Sequence, residues 1–344
     1  MKRSTKLLQS SGKKPLSREE ILSPFARSFI KRVQNTVKKF ELWQKRDSFV
    51  VGISGGPDSL CLLDVLSRLS QKYAFKLYVA HVNYHLRGQA SDLDEALTRA
   101  AAARYGLPCF VFSQKKKLAS DAEEVLRDTR YAFFESLRKK TGAQHIAIAH
   151  NQNDQAETLL MRLLRGAGLS GLSAMRAKNE YIIRPLIEMS RADIIRYLQE
   201  RSLAFREDQS NTDQRYLRNR IRHQLIPFLE NQFQPRTVKL LAETALLLGE
   251  DYALLQKQPA NFSVQRDVNG AKFSRAAFLE LPDALLRREL RALLQPLLGG
   301  KNPSKNLINE LAQALKSQKN KTQTVTFKGL KFVRRGDTVR LFQF

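Results

Sequence analysis

Phe49-Val-Val-Gly-Ile53-Ser54-Gly55-Gly56-Pro57-Asp58-Ser59 begins as an apolar run and ends in a glycine pair followed by polar residues. Residues 49–53 read as a buried strand and 60–69 as a helix, so the glycines mark a strand-to-helix turn. Two glycines let a backbone approach an anion closely, and the amides of a helix N-terminus supply positive potential. Ser54 and Ser59 can donate hydroxyl hydrogen bonds to phosphate oxygens. Asp58 would repel bare phosphate, which points to Mg2+ between them. Ser54, Gly55, Gly56, Pro57, Asp58 and Ser59 are therefore expected to grip the pyrophosphate end of ATP. A Walker A loop would need Gly-Lys-Ser/Thr and a dinucleotide fingerprint a third glycine at the right spacing; neither is present. A Gly-Gly turn before a helix is common as bare structure, but the full six-residue string in this setting is much rarer.

Outward from this turn, apolar strands alternate with helices. Strands are expected at 76–82, 109–112, 145–149 and 181–183, with helices at 91–105, 122–141, 155–164 and 191–201. That alternation predicts an α/β fold, a doubly wound parallel sheet covered on both faces. Upstream, residues 1–18 are basic and free of acids and read as a flexible arm, followed by an amphipathic helix within 19–44. Around 227–235 the pattern changes. Residues 236–256 and 276–317 read mainly as helices, Asn269-Gly270 as a hairpin turn, and 322–342 as short strands broken by Gly329 and Gly336. The expected division is a basic N-terminal extension with one helix at 1–48, a nucleotide-binding domain at 49–227, and a smaller α+β C-terminal domain at 228–344.

Lys plus Arg number 59 and Asp plus Glu 33, a net charge of +26. Such an excess attracts a polyanion from a distance, and nucleic acid is the expected partner, although a basic surface alone can also serve solubility. Cys61 and Cys109 each sit in an apolar stretch and read as small buried hydrophobes in a reducing compartment. Without a CxxC pair, neither an iron–sulfur cluster nor a zinc site of the usual spacing is expected. No window reaches 18 continuous apolar residues, and residues 1–18 lack the apolar core of a secretory signal, so no membrane and a cytoplasmic location are expected.

Other residues carry chemistry only in part. Asp154 and Glu157, three apart near a helix start, can project both carboxylates to one side, which suits an ammonium group. They can equally be first-turn acids that complement the helix dipole. Arg127 and Arg130 can face phosphates and developing negative charge, or be solvated surface. His81, His85 and Arg87 sit past a strand's carboxyl end, where nucleotide or RNA would lie; a strand exit does not present two histidines to zinc. Arg218, Arg220 and Arg222, preceded by Asp208, Ser210 and Asn211, form a natural clamp for RNA phosphates, or pair with nearby acids. The segment 166–171 is expected to be a mobile loop beside the site.

The loop at 54–59 resembles the PP-loop of the N-type ATP pyrophosphatases, which split ATP into AMP and pyrophosphate while activating an oxygen as an adenylate. Further strings choose a branch. His81-Val-Asn-Tyr-His85-Leu-Arg87, Glu124-Val-Leu-Arg127-Asp-Thr-Arg130-Tyr131 and Ala149-His150-Asn-Gln-Asn153-Asp154-Gln-Ala-Glu157-Thr158 come first. Then follow Arg165-Gly-Ala-Gly168-Leu-Ser-Gly171-Leu-Ser-Ala-Met175, Arg184-Pro185-Leu186, Glu207-Asp208-Gln-Ser210-Asn211-Thr-Asp213 and Arg218-Asn219-Arg220-Ile-Arg222. In this order they resemble the tRNA(Ile)-lysidine synthetase family, from about residue 49 to 227 and more weakly through the second domain.

The resemblance implies that ATP adenylates the C2 oxygen of the wobble cytidine in an isoleucine tRNA with a CAU anticodon. Free L-lysine then attacks C2 and expels AMP. It implies catalytic roles for Asp58, Arg127 and Arg130, with ATP held by residues 54–59 and His81, and Mg2+ at Asp58. It places lysine on Asp154 and Glu157, and tRNA on Arg87, Arg218, Arg220, Arg222 and the C-terminal domain at 228–344. One departure stands out: the first of the family's two adjacent aspartates is Asn153, which keeps hydrogen-bonding capacity and loses a charge. The alternative within the superfamily is a tRNA thiolase, which would need paired or catalytic cysteines. From other classes, the alternatives are a basic RNA-binding module with an inert nucleotide domain and a small-molecule amidating enzyme.

Overall fold

The computed structural model describes residues 22–114, 123–206, 214–257, 263–267, 270–300, 303–319, 321–327 and 329–343. The basic arm, the string at 207–213 with Asp208, Ser210 and Asn211, and Asn269 of the hairpin turn lie outside the described residues. The chain forms two compact units, Met1–Leu254 and Leu255–Phe344.

In the first unit, β1 (Ser48–Gly52) pairs in parallel with β2 (Lys76–Asn83) on one side and β4 (His145–Ala147) on the other. The sheet continues through β3 (Cys109–Ser113), β5 (Lys178–Asn179) and β6 (Ile182–Ile183) in the order β3-β2-β1-β4-β6-β5, with only β5 antiparallel. Successive side chains of β1 alternate between two cores. Phe49 and Val51 join the cluster built with α1 (Pro24–Lys39), α2 (Pro57–Tyr73) and α7 (Arg191–Glu200), whereas Val50 joins Phe134 and Leu137 of α4 (Glu123–Thr141). A strand buried on both faces explains the unbroken apolar run at 49–53. The remaining helices are α3 (Gln89–Arg104), α5 (Gln152–Leu164), α6 (Leu169–Leu172), α8 (Leu217–Arg220), α9 (Ile226–Gln232) and α10 (Thr237–Lys257), with a π-helical turn at Ile221–Leu225 joining α8 to α9.

The division at 48 and 227 is corrected by this packing. Phe29 of α1 is fully buried and stacks on Tyr197 at 4.7 Å between ring centroids, so α1 belongs to the first core and is no separate extension. Ser23 caps it, with Pro24 in its first turn, which shortens it from the expected span. At the other boundary, Ile226 and Val238 pack on Ala156 and Leu160 of α5, and Leu246 reaches the main core. The first unit therefore runs past 227 to Leu254.

A buried acid ties these layers together. Asp64 of α2 is fully buried and accepts from the Tyr105 hydroxyl at 2.6 Å, the Tyr197 hydroxyl and Arg68 Nε at 3.2 Å, beside Arg201. Burial alone would raise its pKa, but the two hydroxyls and Arg201 outweigh it and hold the carboxyl below its ordinary range. A depressed folded-state pKa contributes stability above the unfolded value, and that contribution is lost as pH falls through the folded value. Asp64→Ala is expected to cost about 3–5 kcal/mol, because it removes the buried carboxylate on which two hydroxyls and two guanidiniums converge, and to flatten the acid limb of a stability–pH curve measured by urea denaturation. A loss under about 1 kcal/mol would show the network to be dispensable.

The second unit is α+β, as the sequence predicts. β7 (Val264–Asp267), β8 (Gly270–Ser274), β9 (Gln323–Phe327), β10 (Leu330–Arg335) and β11 (Thr338–Gln343) form an antiparallel sheet in the order β7-β8-β11-β10-β9. Phe273, Phe332, Val339 and Leu341 pack under α11 (Arg275–Leu279), α12 (Asp283–Leu297) and α13 (Lys305–Lys316), in one core with Leu286, Leu290 and Leu311. Breaks at Pro282 and at Gly299-Gly300 divide the helical stretch expected over 276–317.

Candidate functional site

The sheet order places the site. From β1 the chain proceeds to β2 and β3 on one side, while β4 and β6 lie on the other, so a crevice opens beyond the carboxyl ends of β1 and β4. The loops leaving these two strands carry residues 53–59 and 148–154.

In the first loop Gly55 has φ +87°, and a Cβ there would lie 3.2 Å from Asp94 Cβ, so both conformation and space require glycine. Ser59 is buried and ties the turn: its hydroxyl donates to Gly56 O at 2.8 Å and accepts from Ser54 N at 3.1 Å. Ser54 is exposed, with Gly56 N 3.4 Å from its hydroxyl. Gly56 and Pro57 bring the loop into the start of α2. His81 is buried, with Nδ1 2.8 Å from Ile53 O, and burial pushes its pKa down. It therefore serves as a neutral donor that anchors the strand end. Asp94 holds the loop from α3, pairing with Arg87 at 2.8 Å and Arg206 at 2.9 Å, while Arg206 N donates to Gly55 O at 3.3 Å. Arg87 thus lies beside the loop at 54–59. His85 is 2.7 Å from Ser113 Oγ and 3.2 Å from Asp92. Among the described residues no three His, Cys, Asp or Glu side chains group as a metal site.

Asp58 looks across the crevice. Its Oδ1 accepts from Asn151 Nδ2 at 2.9 Å, and its other oxygen pairs with Arg191. Burial raises the Asp58 pKa more than Arg191 lowers it. Arg191 is a site residue that sequence reasoning missed, since nothing marks the first residue of a helix as the partner of an acid 133 positions away.

In the second loop Asn151 caps α5: its Oδ1 accepts from Asp154 N at 3.1 Å, and Asp154 Oδ2 accepts from Asn151 N at 3.0 Å. The three-residue spacing does set Asp154 and Glu157 on one side of the helix, and there they meet the arginines. Arg218 donates to Asp154 Oδ1 at 2.8 Å and to Glu157 Oε2 at 2.7 Å; Arg222 grips Glu157 at 2.5 and 3.0 Å. Burial would raise the Asp154 pKa, but Arg218 and the neighbouring donors hold it down. Two groups expected to serve lysine and RNA separately therefore form one cluster. Arg220, between them in sequence, is exposed.

Asn153 has a defined place. Its Oδ1 accepts from Arg191 N at 3.0 Å and joins the start of α5 to the start of α7. An amide oxygen fills that role as well as a carboxylate would. Behind the loop, buried Arg184 donates from Nε to His150 Nδ1 at 2.9 Å and from Nη1 to Arg176 O at 2.7 Å. Burial, with Arg184 next, pushes the His150 pKa down to about 3. On α4, Arg127 and Arg130 are both exposed; Arg127 lies 5.4 Å from the Tyr131 ring, and the charge of Arg130 reaches His150 and Tyr84. The segment expected to be a mobile loop contains α6, and Arg162 pins it by donating to Gly171 O at 2.7 Å and Ala174 O at 2.8 Å. Cys61 is buried and Cys109 partly so; burial pushes both thiols up.

Known proteins share this sequence pattern and fold. Residues 25–229 match the PP-loop domain. A tRNA(Ile)-lysidine synthase of Caldanaerobacter subterraneus subsp. tengcongensis is 41% identical over 247 residues, 70% of this chain and 53% of the relative. That of Geobacter sulfurreducens is 44% identical over 236 residues, 66% of this chain and 50% of the relative. The chain spans about half the length of these curated relatives. The U34-tRNA thiolase NcsA from Methanococcus maripaludis, solved with its [4Fe-4S] cluster, superposes with a TM-score of 0.51 at 17% identity, covering 70% of this chain and 83% of that one. At that identity the likeness is one of fold alone. Among the described residues, no helix is long and apolar enough to cross a membrane.

Proposed function

The chain belongs to the PP-loop family, and from that premise we propose that it ligates free L-lysine to C2 of the wobble cytidine in an isoleucine tRNA with a CAU anticodon. One observation carries this reading. A single side chain, Asn151, bonds Asp58 of the phosphate loop through Nδ2 and caps Asp154 of the acid pair through Oδ1. A nucleotide on the first group and an ammonium on the second would lie side by side.

The cytidine O2 attacks the α-phosphorus of ATP, and the bond to the β-phosphate bridging oxygen breaks to release pyrophosphate. The lysine ε-amine then attacks C2, the C2–O bond breaks, and AMP leaves with the oxygen. The pyrophosphate rests on the loop amides at the start of α2, those of Ser54 and Pro57 excepted, with exposed Ser54 beside them. Arg127 and Arg130 face the charge that develops on the phosphates. Asp154 and Glu157 receive the ammonium, and one of them accepts a proton as the amine attacks. Arg87, Arg218, Arg220 and Arg222 supply cations to the tRNA backbone. Mg2+ entering with ATP would meet the Asp58 carboxylate, with Asp154 nearby, an oxygen donor set of the kind this ion accepts, and would neutralise the leaving pyrophosphate. Burial keeps both cysteine thiols protonated, which favours the ligase over a thiolase.

Incubation with ATP, labelled lysine and an isoleucine tRNA bearing CAU should transfer label, whereas a C-to-U anticodon control should stay unlabelled. Label in both, or in neither, would sink the proposal.

A further inference from the structure

The sheet of the second unit buries one face under its helices and turns the other to solvent. Register fixes what that outward face carries. Arg340 of β11 stands directly opposite Lys272 of β8 and, on its other side, opposite Val333 of β10. Lys331 and Arg335 lie two residues to either side of Val333, on the same face and diagonal to Arg340. Lys272, Arg335 and Arg340 are exposed and Lys331 is half-buried. Among the described residues none of the four makes an ion pair.

This arrangement works against the fold. Like charges directly opposite in a ladder destabilise the pair, and here one such pair has two more cations on its diagonals. Gln265, Thr324 and Thr338, which stand opposite Lys272, Val333 and Arg335, are uncharged; the acid on this face, Asp267, stands opposite Gly270 at the edge of the cluster, with two strands between it and the strand of Lys331 and Arg335. A stable sheet needs no such cluster, whereas a bound polyanion would neutralise it.

We infer that this four-cation face is a docking surface for the phosphodiester backbone of RNA. The inference rests on the tRNA reading above and names the surface by which the second unit holds that substrate. Positions two apart on a strand are separated by about 6.8 Å and neighbouring strands by about 4.8 Å. Those steps match the spacing of successive phosphates along a strand of RNA. The Thr324, Thr326 and Thr338 hydroxyls on the same face add donors for phosphate and 2′-hydroxyl oxygens. A membrane surface fits less well, because docking on lipid calls for large, well-exposed apolar side chains beside the cations, and the apolar residues of this face, Val333 and Phe342, are half-buried.

The test uses the full chain with Lys272→Gln and Arg340→Gln combined. Filter binding to tRNA across a salt series is expected to show affinity reduced tenfold or more at low salt. The slope of log K against log salt should become shallower by roughly 0.7–0.9 per lost contact. The melting temperature should hold or rise, since a repulsive pair has been removed, and binding of a fluorescent ATP analogue should not change. An unchanged tRNA affinity and slope would overturn the surface while leaving the tRNA reading intact. If the native chain fails to bind tRNA but leaves heparin at higher salt than the variant, the polyanion face stands and the tRNA reading falls. Loss of phosphatidylserine-vesicle binding with tRNA binding retained would overturn the inference in favour of a membrane surface.

Discussion

Asp58→Asn is expected to reduce ATP-dependent pyrophosphate release by at least ~100-fold, the scale of losing one preorganised electrostatic group, while leaving the melting temperature unchanged or raised. The two halves of that expectation have separate physical origins. Release fails because Asp58 is the carboxylate at the start of α2, between the phosphate loop and Asn151, where any cation accompanying the nucleotide must be met. Stability survives because burial opposes this carboxylate more strongly than Arg191 favours it. Arg191 keeps 34% of its side-chain surface exposed, so the freed guanidinium rehydrates, and a pair of that kind contributes little. A coupled pyrophosphate assay beside a thermal melt reads both. Release within a few-fold of the native rate would remove Asp58 from the chemistry, and a large drop in melting temperature would recast it as a structural ion-pair partner.

The turn at 54–59 is legible in the sequence because it is contiguous. Six consecutive residues supply the turn, the amides and the acid, and the apolar run before them is the alternation of Phe49, Val50 and Val51 between two cores. The paired acids were legible as a pair, from helical spacing alone. Which cation they meet was not, because Arg218 lies 61 residues beyond Glu157 and reaches it only through the packing of Leu217 and Ile221 on Ala156. Periodicity tells which face of a helix is buried and leaves open what arrives to cover it. For the same reason the sequence does not reveal Arg191, nor that α1 joins the main core through Phe29. Asn153 shows the converse. As a departure from a family pattern it looked like a lost charge, and the structure turns it into a hydrogen bond to Arg191 N that never needed one.

Glu157→Ala should abolish the lysine dependence of turnover and lower stability by about 3 kcal/mol. Its carboxylate is 1% exposed and accepts three hydrogen bonds from two guanidiniums, so truncation removes a buried acceptor from both cations. Breaking a buried ion pair costs about 3–5 kcal/mol. The lower end applies because Arg218 and Arg222 retain 27% and 31% exposure and can recover water. If the acid pair is the lysine pocket, the arginines now occupy the position of the substrate ammonium, and lysine must compete with them. Arg222→Ala should then lower the lysine KM while weakening tRNA binding, an opposite pair of effects that a purely structural role would not produce. Combining Arg222→Ala with Glu157→Ala should recover part of the lost stability, because the stranded guanidinium is gone, and the double-mutant cycle measures that coupling directly. Glu157→Ala with native lysine dependence would reject the pocket. Additive stabilities in the cycle would show that Arg222 and Glu157 do not depend on one another, and the cluster would then owe its place to Arg218 and Asp154.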